Sequence, residues 1–203
     1  PQPWHEVVDA LEYGPACPQP GFPETTSEDC LFLNVWTPSS GDAARRPVLV
    51  YIHGGAYSSG SSSNALYDGA RLVQRGDVVV VTLNHRLNAF GYLYLDRSLR
   101  RAELADSGNV GQLDLILALQ WVRDNIAAFG GDPGCVMAFG QSGGGAKIAT
   151  LMAMPAASGL FHRTATMSGQ QVTASGPLNA ATRTRALFDA LDLPAHRTEE
   201  VRN

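Results

Sequence analysis

The run Gly140-Gln141-Ser142-Gly143-Gly144-Gly145 sets one hydroxyl among glycines, directly after the apolar stretch Val136-Met137-Ala138-Phe139. A serine on a sharp turn between a buried strand and a helix is forced into a strained backbone conformation. Side chains at the flanking positions would collide with neighbouring elements, and Gly140 and Gly144 remove them. The turn points the hydroxyl out at the carboxyl end of a sheet and aims the first amides of the helix at a substrate oxygen. The chemistry available to such a serine is nucleophilic attack on a carbonyl carbon.

Glycine-x-serine-x-glycine alone also marks plain glycine-rich turns, so the neighbouring sequence has to decide. His53-Gly54-Gly55-Ala56 is a second junction where a buried strand ends in glycines. A loop of that kind presents backbone N–H groups to a developing oxyanion, and losing one such donor typically costs about 10²–10³ in rate. Two junctions of complementary chemistry are a much stronger signal than either one.

The elements that must hold these junctions follow from hydrophobic periodicity. The first thirty residues, rich in Pro and Gly, read as an irregular surface segment leading to a strand over Leu31–Trp36. Pro47–His53 and Val78–Asn84 are continuous apolar runs and predict strands buried on both faces. Between them, Asn64–Arg75 carries Leu66, Ala70 and Val73 and predicts a crossover helix, so the two strands run parallel. The unit repeats: a helix over Val110–Phe129, with Leu113, Ile116, Leu117, Leu119, Val122 and Ile126 at helical spacing, then a strand over Cys135–Gly140. A helix over Ala146–Met154, a short strand over Thr164–Met167 and a helix over Ala180–Leu191 complete the reading. The fold class is α/β, an open, mostly parallel sheet with crossover helices seen over part of its width.

At 203 residues the chain is long enough for one compact core, since domains usually run to roughly 100–200 residues. With 44% hydrophobic and 17% charged residues and a net charge of -4 without acidic or basic tracts, it reads as an ordinary globular protein. Lys and Arg are too scattered for a phosphate-binding stripe, and no apolar run approaches the roughly 20 residues that span a bilayer. Nucleic acid and membrane-spanning roles are therefore not expected. No signal peptide is visible at Pro1-Gln2-Pro3-Trp4, and localisation is open. Cys17, Cys30 and Cys135 lack zinc-site spacing, and their odd number excludes a full disulfide framework. Whether Cys17 and Cys30 are bridged is open, while Cys135 heads an apolar run and reads as a buried thiol.

Ser27-Glu28-Asp29-Cys30-Leu31-Phe32-Leu33-Asn34-Val35 resembles a signature of the type-B carboxylesterases. The likeness continues in order through Gly14-Pro15-Ala16-Cys17-Pro18-Gln19, Tyr67-Asp68-Gly69, Asn84-His85-Arg86-Leu87, Gln120–Ile126, Phe129–Pro133 and Met167-Ser168-Gly169, and so covers nearly the whole chain. It is most similar to the bacterial para-nitrobenzyl-esterase-like branch of the cholinesterase and carboxylesterase family. The shorter match to hormone-sensitive-lipase-like esterases leaves Cys30 and the Phe129 segment unexplained. The resemblance implies an α/β-hydrolase fold and hydrolysis of small-molecule esters through an acyl-Ser142, without a cofactor. It also implies an oxyanion hole made by the backbone N–H groups of Gly55, Ala56 and Gly143.

Three departures stand against the family pattern, which usually has Glu before the serine, Ala after it and a third glycine in the oxyanion loop. Gln141 removes a carboxylate near the site, which is expected to weaken stabilisation of an imidazolium. Gly143 keeps its N–H on a looser backbone, and Ala56 leaves its amide available.

In this fold the nucleophile is followed along the chain by an acid and then a histidine. Asp189 or Asp192 with His196 has that order, but the acids fall on or at the end of a predicted helix instead of after a late strand. His53, His85 and His162 flank strands, and His5 lies in the irregular leader. The resemblance places the true acid and histidine beyond Asn203 and the first strands before Pro1. The expectation is thus one partial α/β-hydrolase domain over residues 1–203. The rival readings are a cholinesterase-like binding module without catalysis, an inactive fragment, and a lipase or thioesterase on the same scaffold.

Overall fold

β-branched and leucine-rich runs build the middle of the sheet in a computed structural model that describes residues 9–23, 25–95, 102–169 and 175–194. Its five strands are β1 (Leu33–Trp36), β2 (Arg46–Ile52), β3 (Val79–Leu83), β4 (Gly131–Gln141) and β5 (Arg163–Met167). They lie in the order β1-β3-β2-β4-β5. The β3-β2, β2-β4 and β4-β5 pairs are parallel, and β1 joins antiparallel to β3. The helices are α1 (Ala70–Gly76), α2 (Asn88–Tyr92), α3 (Val110–Asn125), α4 (Gly143–Ala153) and α5 (Pro177–Ala190). The open, mostly parallel α/β sheet read from the sequence is the observed architecture.

One face of the sheet carries the main core. Val48, Val50 and Ile52 of β2, Val79, Val81 and Leu83 of β3, and Val136 and Ala138 of β4 pack with Leu115, Ile116, Leu119 and Val122 of α3 and Ile148 and Leu151 of α4. On the opposite face Gly69, just before α1, lies against Val80 and Trp36. α1 therefore covers one side of the sheet and α3 and α4 the other, as right-handed crossovers require when the chain moves first from β2 to β3 and then back past β2 to β4.

Several boundaries differ from the sequence reading, each for a local reason. β3 is buried on both faces as expected, whereas β2 alternates, with Leu49 and Tyr51 only half-buried. The expected helix over 64–75 is broken. A short 3-10 turn, Ala65–Tyr67, is capped by the Asn64 side chain, which accepts from Leu66 N–H at 2.9 Å, and Asp68 accepts from Ala70 N–H at 2.7 Å. The break lets Gly69 approach the sheet so closely that a Cβ there would lie 2.8 Å from Val80 Cβ. On α3, Leu117 is exposed, not part of the apolar face. Cys135 is half-buried, with the Arg163 guanidinium donating to its Sγ at 3.6 Å, because it alternates onto the face of β4 opposite the core-facing Val136 and Ala138. α4 begins at Gly143 and not Ala146: close packing on β2 overrides the poor helix propensity of three glycines, each worth about 1 kcal/mol against alanine.

Cys17 and Cys30 are bridged, with Cα atoms 5.0 Å apart, and with Leu87 they form a second small core under the leader. Among the described residues no helix is long and apolar enough to cross a membrane.

Candidate active site

The strand order fixes where a ligand can enter. The connection leaving β2 turns toward β3, while the connection leaving β4 turns the other way toward β5. The loops after these two adjacent strands therefore diverge and leave a crevice at the carboxyl end of the sheet, where ligands of open α/β sheets bind. Ile52 pairs with Gly140 at the last rung before both loops. His53-Gly54-Gly55-Ala56 lies on one side of the crevice and Ser142 on the other.

Ser142 occupies φ 55°, ψ -123°, a conformation that costs of order 1–3 kcal/mol for a residue with a side chain and persists only when its surroundings enforce it. Here two hydrogen bonds enforce it. Ser142 N–H donates to the Met167 carbonyl at 2.7 Å, and Ala146 N–H donates to the Ser142 carbonyl at 3.0 Å. The glycines admit the close approach that this turn needs. A Cβ on Gly140 would lie 2.6 Å from the Ile52 carbonyl oxygen, and one on Gly144 would overlap the same oxygen and lie 2.9 Å from that of His53. Gly169, at the end of β5, similarly leaves room for the Ser142 carbonyl.

The facing loop is also held in an uncommon conformation, with Gly55 at φ 83° and Ala56 at φ 54°. Ser58 and Ser59 N–H both donate to the Gly55 carbonyl, at 3.2 and 3.1 Å, which closes the turn. Its outer end is tied to the leader, since Gln19 accepts from Gly60 N–H at 2.7 Å and donates to the Gly60 carbonyl at 2.8 Å. Asn84 Nδ2 donates to the Pro15 carbonyl at 3.1 Å and Asn88 Nδ2 to that of Pro18 at 2.7 Å, while Asn88 N–H donates to the Tyr57 carbonyl at 2.7 Å. The Gly14–Gln19 segment and residues Asn84 to Asn88 thus act together as a brace for the loop.

Among the described residues, no acceptor occupies the N–H groups of Gly55, Ala56 or Gly143. Gly143 lies against the loop, and a Cβ there would be 2.6 Å from Ala56 Cα. Ala56, Tyr57, Ser142, Gly143, Ser168 and Gly169 border a cavity of about 360 Å³, within the usual size range for small-molecule sites. Ser168, also at positive φ (55°), was legible only as part of a family-like tripeptide; its place after a short strand and before a glycine repeats the pattern around Ser142.

None of the histidines in the described residues borders this cavity. His53 and His85 stack face to face beneath it, ring centroids 4.7 Å apart, both buried. Each ring lies against the carbonyl of the following residue, so Nδ1 is the donor, to Gly54 at 2.9 Å and to Arg86 at 3.1 Å. Burial, with the nearby Lys147 adding in the same direction, pushes His53 down to about 4. Burial, His53 and Lys147 hold His85 well below the usual histidine range. The neutral pair is structural. His162 accepts from Val136 N–H at 3.2 Å at the start of β5, the end of the sheet away from the crevice. Asp189 and Asp192 are exposed and do not border the cavity, and His196 and His5 lie outside the described residues. Gln141 is exposed beside Ser142.

Residues 1–201 match the profile of the carboxylesterase family. Over 190 residues the chain is 47% identical to a para-nitrobenzyl esterase of Bacillus subtilis (strain 168), covering 90% of this chain and 38% of that protein. It is 44% identical over 189 residues to carboxylesterase 4A of Bos taurus, covering 85% of this chain and 33% of that protein. A crystal structure of a Geobacillus stearothermophilus carboxylesterase superimposes with a TM-score of 0.92 at 43% identity, covering 99% of this chain and 42% of that one. The chain thus spans between 33% and 42% of the length of these relatives.

Proposed function

The chain belongs to the carboxylesterase family, with an α/β-hydrolase fold, and from that premise we propose that the full protein hydrolyses small carboxylic esters through an acyl-Ser142 intermediate. The observation that carries the reading is a serine held at φ 55° with Gly143 beside it and Ala56 facing it at one cavity, their N–H groups, like that of Gly55 in the same loop, without acceptors among the described residues. In this reading Ser142 Oγ attacks the ester carbonyl carbon while a histidine removes its proton. The N–H groups of Gly55, Ala56 and Gly143 receive the negative oxygen of the tetrahedral adduct. Collapse expels the alcohol, protonated by the same histidine, and a water then attacks the acyl-serine to release the acid.

The described histidines are committed elsewhere, so we infer that base and acid come from outside the described residues. Residues 1–203 then form one part of a single α/β-hydrolase domain. No step calls for a cofactor. The binding-module alternative gains nothing from the site, because recognition without hydrolysis has no use for a strained serine facing free amides.

The test is covalent. A fluorophosphonate is expected to add to Ser142 of the full-length protein, located by peptide mass, and Ser142→Ala is expected to abolish both labelling and release of p-nitrophenol from p-nitrophenyl acetate. Full hydrolysis by Ser142→Ala would remove the reading.

A further inference from the structure

Lys147 lies on α4, one turn beyond the serine, and is fully buried. Its Nζ donates to the Ala56 carbonyl at 2.6 Å and sits 4.9 Å from the centre of the Tyr57 ring. Among the described residues no carboxylate pairs with it. Burying an ammonium without a counter-charge is unfavourable, so this side chain is not a stabilising device for the fold. Both of its partners belong to consecutive residues of one loop, the loop that faces Ser142.

We propose that Lys147 is a positioning residue, clamping the Ala56 carbonyl down onto α4 and thereby holding the Ala56 N–H at the place where the substrate oxyanion forms. The inference rests on the esterase reading above. The Ala56 carbonyl shares its peptide plane with the Tyr57 N–H, so the clamp fixes that plane and reaches the Ala56 N–H through the φ and ψ of Ala56. Ala56 needs that restraint, since at φ 54° it occupies a region that alanine avoids and glycine tolerates.

Gly143 completes the device. A Cβ there would fall 2.6 Å from Ala56 Cα and 2.7 Å from its carbonyl carbon, so the clamp draws the loop nearer than a side chain at 143 allows. Three residues that look independent in sequence, Ala56, Gly143 and Lys147, are in this account one arrangement.

The experiment compares Lys147→Met, which keeps an unbranched apolar stem and removes the ammonium, with wild type in the full-length protein, using p-nitrophenyl acetate. The readouts are kcat, KM and the affinity of an aryl trifluoromethyl ketone, which adds to a catalytic serine as a tetrahedral oxyanion. Expected is a fall in kcat of about 10- to 100-fold, somewhat less than loss of a whole oxyanion donor. KM should stay within about twofold and inhibitor affinity should fall in parallel with kcat, the signature of an interaction made in the transition state.

A folded Lys147→Met protein with kcat and inhibitor affinity within about twofold of wild type overturns the proposal, as does a rise in KM alone. If Lys147→Met does not fold, Lys147→Leu decides, since its shorter uncharged side chain also removes the hydrogen bond to Ala56 and leaves the residues of the oxyanion hole unchanged. A selective fall in kcat and inhibitor affinity supports the clamp, and wild-type values overturn it. Ser142→Ala run alongside separates the two claims, because full activity there removes the esterase reading itself.

Discussion

Lys147, His53 and His85 make the pH response of the fold unusual. Three basic groups are buried together beneath the crevice, with Tyr57 packed over the lysine. Burial brings Lys147 from its ordinary 10.5 to about 7, and His53 from 6.5 to about 4. For a base whose folded value is depressed, the unfolded chain binds the extra proton, so stability is lost as pH falls from the ordinary value toward the folded one. The histidine contribution is therefore complete above about pH 6.5 and declines toward pH 4, and the lysine contribution still grows from about pH 7 toward 10.5. At about 1.4 kcal/mol per pH unit these are effects of a few kcal/mol. Urea midpoints are expected to rise from about pH 5 to 7 and again from about 7 to 9. In Lys147→Met the second rise should vanish while the first persists. A wild-type midpoint that is flat from about pH 7 to 9 would show that Lys147 is not destabilised by burial.

Among elements, the leader shows how irregular chain can place a functional loop. Residues 9–23 contribute no strand, yet the Cys17–Cys30 bridge anchors them and Gln19 grips Gly60 at the far end of the candidate oxyanion loop. The two cysteines are 13 residues apart, and closing a loop of about that size stabilises by about 3 kcal/mol. The double variant Cys17→Ser/Cys30→Ser is expected to lose that amount in chemical unfolding, and an unchanged midpoint would mean that the bridge constrains nothing.

Sequence made part of this legible. The elbow could be read because glycine spacing and an apolar run report a strand-to-turn junction locally, and α3 because its period extends over sixteen residues to Asn125, with a 3-10 turn, Ile126–Phe129, leading on to Gly130. The start of α4 was not legible, because three glycines become helical only through contact with β2. Lys147 was hidden for a related reason: no local pattern in Ala146-Lys147-Ile148 reports that its ammonium reaches the Ala56 carbonyl of the loop leaving β2. The bridge was undecided because spacing alone does not say that two Cα atoms come within 5.0 Å.

For the molecule as a whole, the parts of a reaction are unevenly distributed. The switch point between β2 and β4 assembles the candidate nucleophile and the candidate oxyanion donors within residues 53–143, but supplies no proton acceptor beside Ser142 among the described residues. The sheet is equally one-sided. In the described residues β5 is the outermost strand of the sheet, and Met152 of α4 and Met167 of β5 beside it are exposed. Exposed apolar side chains at the last strand of a sheet recruit another chain unless something covers them. Residues 1–203 produced alone are thus expected to self-associate in light scattering and to release p-nitrophenol no faster than their own Ser142→Ala variant, whereas the full-length protein releases it in a Ser142-dependent way. A monomeric, cooperatively folded 203-residue protein with Ser142-dependent hydrolysis would place the base within these residues after all, and would direct attention to His196.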